Sequence, residues 1–235
     1  ISSAASDVYK RQILNINIVH VRSRAPAWSC LISCFLTRRK MVTTFHGTYN
    51  FKNSIKKLYN SVMLKSKLII AGSNFIFNHI NENYIDRLNP SNKLMVIFRG
   101  INLDYYHEKN ISVFKKNKLF NLWGLSENKF KILLPGRLTS WKGQDKFIES
   151  LNILIEDYNN YRFEAIILGS DQGRNVYKKK LQNLSQRYNL NQKIFFIDHC
   201  KDMPLAYSLS DVVVSSSVEP EAFGRVAVEA QAMQK

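Results

Sequence analysis

Phe130-Lys-Ile-Leu-Leu-Pro-Gly-Arg-Leu-Thr-Ser-Trp-Lys-Gly-Gln-Asp-Lys-Phe-Ile-Glu-Ser-Leu-Asn-Ile-Leu-Ile-Glu-Asp157 changes its period partway along. It opens on a short apolar run, 130–135, and crosses a loop holding two glycines. It then places Phe147, Leu151, Leu154 and Ile155 at i, i+4, i+7 and i+8, the stripe of an amphipathic helix. A strand feeding a helix through a glycine-containing loop is the unit of an open parallel sheet.

Outward from this unit the alternation persists. Strands are predicted at 13–20, 41–45, 67–71, 93–98, 130–135, 161–168, 193–197 and 211–215, with helices at 27–37, 52–65, 74–84, 144–157, 174–188, 202–208 and 224–234. Lys67-Leu-Ile-Ile-Ala71 and Asp211-Val-Val-Val-Ser215 are continuously apolar, as strands covered on both faces must be. The fold class is α/β, two doubly wound parallel-sheet domains of Rossmann-like kind. Alternation lapses between Gly100 and Lys129, where Lys115, Lys116 and Lys118 crowd together. The reading is a partial first domain at 13–109, an interdomain linker at 110–129 and a partial second domain at 130–235. Residues 1–12 lack the apolar core of a signal peptide and look like an adaptor or cloning scar. With a helix cut short at Lys235, the chain is expected to be a fragment truncated at both ends, exposing sheet edges and prone to aggregate.

The 235 residues carry 45% apolar side chains and 12% aromatics, too much for a disordered chain. The uncharged run Ala27 to Leu36 has ten residues, against the roughly 20 of a spanning helix. Cys30, Cys34 and Cys200 form neither a disulfide framework nor a zinc motif, which points to a reducing, cytoplasmic setting. Charge is uneven. Residues 1–129 hold 20 Lys and Arg against 6 Asp and Glu, whereas 130–235 hold 14 against 12. A basic half invites an anionic partner, although a Lys-rich composition alone would produce it (22 Lys to 12 Arg).

Ligands of doubly wound sheets bind beyond the carboxyl ends of the strands. Four loops there carry candidate residues. In Gly136-Arg-Leu-Thr-Ser-Trp-Lys-Gly143, Arg137 and Lys142 place two cations suited to a diphosphate. In Glu219-Pro-Glu-Ala-Phe-Gly-Arg-Val-Ala-Val-Glu229, Glu221 and Glu229 would stand about 80° apart on one helix. Glu221 therefore belongs to the loop and Glu229 to the helix, where carboxylates can accept from sugar hydroxyls. Thr44-Phe-His-Gly-Thr-Tyr49 offers His46 for a phosphate, a hydroxyl or proton transfer. His20-Val-Arg-Ser-Arg-Ala-Pro-Ala-Trp28 offers Arg22 and Arg24, which either grip an anionic acceptor or cap a helix.

Together, and in that order along the chain, His-Gly-Thr-Tyr (46–49), Gly-Arg-Leu…Trp-Lys-Gly (136–143) and Pro-Glu-Ala-Phe-Gly…Val-Glu-Ala (220–230) resemble the family 4 retaining glycosyltransferases of type B architecture. The Glu-x7-Glu pair is that family's signature, and Arg-Ser-Arg-Ala-Pro-Ala-Trp looks like the branch linked to lipopolysaccharide and bacterial surface glycans. The resemblance implies transfer of a sugar, with retention, from a nucleotide-sugar to a glycan or lipid-linked acceptor. Arg137 and Lys142 would bind the donor diphosphate, Glu221 with Phe223 and Gly224 the donor sugar, and Glu229 the ribose. His46 and Glu221 are the catalytic candidates, Gly169 lines the nucleotide side, and Arg22 and Arg24 face the acceptor. It implies no cofactor and no metal, since Asp-x-Asp is absent, and a place on the inner face of the plasma membrane. The truncated chain itself is expected not to turn over. Two other readings stand beside it: a basic protein of nucleic acids or anionic surfaces, and an isomerase or hydrolase of nucleotide-sugars. The first leaves the loop motifs unexplained, so no nucleic-acid partner is expected. A dehydrogenase is disfavoured by the absence of Gly-x-Gly-x-x-Gly.

Overall fold

The computed structural model describes residues 16–159, 161–173 and 175–235, so the proposed scar and the first residues of the predicted strand 13–20 lie outside the described residues. The chain divides into two compact units after Gly100.

The first unit alternates β1 (Ile18–Val21), α1 (Arg24–Leu36), β2 (Lys40–Phe45), α2 (Ser54–Asn60), β3 (Leu68–Ala71), α3 (Asn74–Tyr84) and β4 (Lys93–Val96). Its strands are all parallel, in the order β1-β2-β3-β4. Phe45, Ile69, Ile76 and Ile80 are wholly buried. Helix α1 starts three residues before its predicted position, because Pro26 falls in its first turn, where no amide donor is required. The predicted helix 52–65 breaks in two. Asn53 caps α2 through Lys56 N at 2.9 Å, and a 3₁₀ turn at Ser61–Leu64 follows.

The second unit contains α4 (Val113–Leu122), β5 (Phe130–Pro135), α5 (Gln144–Glu156), β6 (Phe163–Leu168), α6 (Asn175–Arg187), β7 (Ile194–Ile197), α7 (Met203–Ser208), β8 (Val212–Val213) and α8 (Arg225–Ala232). The sheet is parallel, in the order β7-β6-β5-β8. Both faces are covered. Ile132, Leu134, Ala165 and Ile167 meet Phe147, Ile148 and Leu181 on one side. Leu133, Ile166 and Leu168 meet Ala206, Tyr207 and Ala230 on the other. Alternate residues of one apolar run thus feed two cores, as the unbroken hydrophobicity of β5 and β6 requires.

Two boundaries change. Residues 110–129 are not a linker: α4 forms there, and Leu119, Phe120, Trp123 and Leu125 join the second core. The first unit correspondingly closes at Gly100 rather than 109. Strand β8 pairs over two residues instead of five. Among the described residues it has a neighbour on one side only, and flanking bonds from Asp211 N to Lys131 O and Val214 N to Leu133 O end the ladder.

Candidate functional site

Strands β6 and β8 flank β5 on opposite sides, so the order of the second sheet reverses at β5. The carboxyl ends of the strands around such a reversal are where open parallel sheets bind ligands. A cleft of about 810 Å³ opens at that end of the sheet, between the loops after β5, β6 and β7 and the start of α8, lined among others by Tyr106, Arg137, Gly169, Tyr207, Arg225 and Glu229. That volume suits a small-molecule ligand of nucleotide size.

The loops come together because two positions lack a side chain. A Cβ on Gly169 would lie 1.9 Å from the carbonyl oxygen of Gly136, and one on Gly143 would lie 2.0 Å from that of Ser216. Gly143 also takes φ +67° at the start of α5. The sequence signal for Gly169 as a cleft residue was its position after a strand. Its physical role is to let the β5 and β6 loops touch.

Glu229 sits on α8, and at 6% exposure it is a buried carboxylate. The Tyr207 hydroxyl, from α7, donates to its Oε2 at 2.9 Å, and Arg225, one helical turn earlier, pairs with its Oε1 at 2.6 Å. Burial and then the charge of Glu229 push Tyr106 up to about 12 and push Tyr207 higher still. Both phenols therefore stay protonated and remain donors to the carboxylate.

Glu221 lies in the loop before α8, as predicted, and Lys142 reaches it from the β5 loop as an ion pair. Ser217 Oγ donates to the same carboxylate at 2.5 Å. Burial would raise Glu221, but the hydrogen bonds from Lys142 and Ser217, with the charges of Lys142 and Arg137, hold it below the ordinary glutamate value. Lys142 Nζ also rests over the Trp141 ring at 4.5 Å. Arg137 is exposed on the cleft wall, and its backbone carbonyl is fixed by Gln144 Nε2 at 2.8 Å. Phe223 is half-buried beside Gly224, which takes φ +69° as the residue before α8. The structure thus brings Arg137, Gly169 and Glu229 to one cleft, and pairs Lys142 with Glu221.

In the first unit, the parallel pairing of β1 with β2 brings Arg22 to His46, with Arg22 Nε donating to His46 Nε2 at 2.7 Å. Arg24 turns elsewhere. Its Nη1 donates to Asn60 Oδ1 at 2.8 Å and its guanidinium lies 4.5 Å from the Tyr49 ring centre. Asn60 is fully buried and also donates to the Tyr49 carbonyl and to Tyr84 Oη. Arg24 therefore braces the loop after β2. Among the described residues no group of three His, Cys, Asp or Glu side chains could hold a metal ion. No helix among them is long and apolar enough to cross a membrane.

Sequence reasoning missed Tyr106, Tyr207 and Ser217. For the tyrosines no local signal existed, because only the sheet order brings α7 beside α8. Arg225 was legible as the residue four before Glu229.

The chain is similar to known proteins. The family described as Glycosyl transferases group 1 matches residues 115–235, and Glycosyltransferase Family 4 matches residues 3–105. A glycosyltransferase of Rickettsia africae is 38% identical and superposes with a TM-score of 0.83 over 99% of this chain and 59% of its own. HepE of Anabaena, solved with UDP and glucose, is 24% identical with a TM-score of 0.83, over 99% of this chain and 60% of its own. Spore coat protein SA of Bacillus subtilis is 25% identical over 92% of this chain and 57% of its own. The chain therefore spans less than two thirds of each of these relatives.

Proposed function

The chain belongs to the group 1 glycosyl transferases, and on that premise we propose that it moves a sugar from a nucleotide-sugar donor to an acceptor hydroxyl, with retention at the anomeric carbon. The observation that carries this is the cleft at the carboxyl ends of β5, β6 and β7, which sets the Arg137 cation and the buried Glu229 carboxylate on its walls. The UDP held by HepE, a protein of the same fold, supports a nucleoside diphosphate as the leaving half of the donor.

The residues divide the work by charge. Glu229, an acceptor-only group already held by Tyr207 and Arg225, takes the ribose hydroxyls. Arg137 takes the diphosphate, and Lys142 leaves Glu221 for it when the donor enters. As the glycosidic bond lengthens, negative charge grows on the departing diphosphate, and fixed cations there lower the barrier. Glu221, released from Lys142, accepts from the hydroxyls of the donor sugar, with Phe223 and Gly224 beside it. This reading uses no metal. His46 acts from the first unit, on a phosphate or a hydroxyl of a substrate. The acceptor is a glycan or lipid-linked glycan of the bacterial surface, lipopolysaccharide included.

A second feature supports a peripheral membrane location. Helices α1 and α2 expose Phe35 (82%) and Ile55 (79%), with Trp28 and Tyr59 bringing their faces together at 6.1 Å. Arg38, Arg39, Lys40 and Lys56 surround these side chains in the sequence. Apolar groups rimmed by cations suit an anionic leaflet.

Calorimetric titration with UDP, GDP and ADP tests the donor site, with Arg137→Ala and Glu229→Ala beside the parent chain and a DNA duplex as control. Saturable binding of one nucleoside diphosphate, weakened about tenfold by each substitution, is expected. Binding to DNA alone, indifferent to both substitutions and lost with salt, would overturn the reading.

A further inference from the structure

Ser216 and Ser217 follow β8 in the loop that leads to α8. Each hydroxyl fixes one member of the Lys142–Glu221 ion pair. Ser216 Oγ donates to the backbone carbonyl of Lys142 at 3.0 Å, and Ser217 Oγ donates to Glu221 Oε1 at 2.5 Å. The second distance is that of a charge-assisted bond from a hydroxyl to a carboxylate, about 2.5–2.7 Å.

The backbone around Lys142 is fixed independently of its side chain. Lys142 N donates to Thr139 O at 2.9 Å, and Val218 N donates to the carbonyl of the preceding Trp141, also at 2.9 Å. A Cβ on Gly143 would stand 2.0 Å from the Ser216 carbonyl oxygen, so the loops after β5 and β8 meet here backbone to backbone. An ammonium on a flexible four-carbon stem can leave a carboxylate without disturbing such a loop.

Glu221 is held through one oxygen. Lys142 Nζ and Ser217 Oγ both bond Oε1, and among the described residues nothing donates to Oε2. Its side chain is 25% exposed, so the group is within reach of a ligand. When Lys142 moves to a phosphate, Ser217 is the remaining donor on this carboxylate among the described residues. Without it the side chain would turn freely into water, and its order would have to be restored when a sugar binds. A short hydroxyl fixed to a packed loop removes that cost in advance.

We propose that Ser217 is the positioning residue of Glu221: it keeps Oε1 occupied when Lys142 is drawn to the diphosphate, and so holds Oε2 ready for a hydroxyl of the donor sugar. The inference rests on the transferase reading for the sugar, and on the geometry of the two loops alone for the hold on Glu221. Ser217 acts through Glu221 and touches no reacting atom.

The test uses the full chain, with UDP, GDP and ADP and their glucose conjugates as probes. Ser217→Ala should weaken binding of the glucose conjugate about fivefold and leave the nucleoside diphosphate unchanged, because the latter lacks the sugar that Glu221 meets. Ser217→Thr, which keeps a hydroxyl, should lie nearer the parent. In a Glu221→Ala chain, Ser217→Ala should cost nothing further. Unchanged diphosphate binding also shows that the variants fold. A second readout needs no ligand: NMR relaxation should find the Glu221 side chain ordered in the parent and in Lys142→Met, and mobile in Lys142→Met with Ser217→Ala. Conjugate binding untouched by Ser217→Ala, an equal fall for diphosphate and conjugate, losses that add to those of Glu221→Ala, or a Glu221 still ordered without either partner overturns the proposal. A parent that binds none of the three diphosphates removes the transferase reading, and relaxation then decides by itself whether Ser217 holds Glu221.

Discussion

The Tyr207 hydroxyl donates to Glu229 across 2.9 Å inside the second unit, so the carboxylate at the cleft is oriented from the core behind it. Tyr207 is fully buried, and its phenol is raised by burial first and by Glu229 second. Tyr207→Phe keeps the ring and removes the donor. We expect a loss of about 1–3 kcal/mol in urea unfolding, the range for a buried carboxylate deprived of one partner. UDP binding should weaken about fivefold, because Glu229 then loses the donor that orients it from the core. Unchanged UDP affinity in this variant would show that the tyrosine serves folding only.

Gly169→Ala tests the close approach of the β5 and β6 loops. The new methyl would stand 1.9 Å from the Gly136 oxygen and 2.6 Å from its carbon, both backbone atoms that cannot swing away. Gly136 N is bonded to Leu168 O at 2.8 Å, so separating the loops strains the ladder itself. A destabilisation on the order of 3 kcal/mol or more is expected, with loss of UDP binding. Gly47→Ala, where a Cβ meets nothing within 4 Å, should stay within about 0.5 kcal/mol of the parent. Equal melting of the two variants would refute the close-approach argument.

The strands were legible in the sequence because β5 and β6 must be apolar on both faces, with Leu133 and Leu134 feeding different cores. Helix α4 was not, because Lys115, Lys116 and Lys118 dominate its first half and its inward residues, Leu119 and Phe120, come late. Motif residues at the cleft could be chosen one by one, since each follows a strand. Their pairings could not. Arg22 and His46 are 24 residues apart and meet only because β1 and β2 run parallel in the register Val21 to Thr43. Tyr207 and Glu229 meet because α7 and α8 cover the same face. Such pairs belong to topology, and periodicity along one chain carries no information about them.

Lys142 and Glu221 form an ion pair that stability should report as a function of pH. Burial opposes ionisation of Glu221, and the Lys142 and Ser217 hydrogen bonds outweigh it, leaving the group below its ordinary 4.5. A depressed carboxylate stabilises the fold above its unfolded value, so the contribution is complete above about pH 4.5 and disappears as pH falls through the lowered value. Lys142→Met removes the largest opposing influence. The Glu221 carboxyl resonance should then titrate at higher pH, and unfolding at pH 7 should cost about 1 kcal/mol less. An unmoved titration midpoint would mean that Lys142 does not govern Glu221.

Vesicle sedimentation separates the two attractions offered by α1 and α2. Arg38, Arg39 and Lys56 should each contribute about 1 kcal/mol on an anionic leaflet, an interaction that salt screens. Lys57 is already committed to Asp86, so its reversal is the weaker test. Charge reversal at Arg38, Arg39 and Lys56 together should abolish pelleting with anionic vesicles at low salt. Phe35→Ser with Ile55→Ser should weaken it while leaving the salt dependence intact, because buried apolar area contributes about 25 cal/mol per Å² whatever the ionic strength. Pelleting untouched by either set would remove the membrane from this protein's function and leave the exposed Phe35 and Ile55 to another partner.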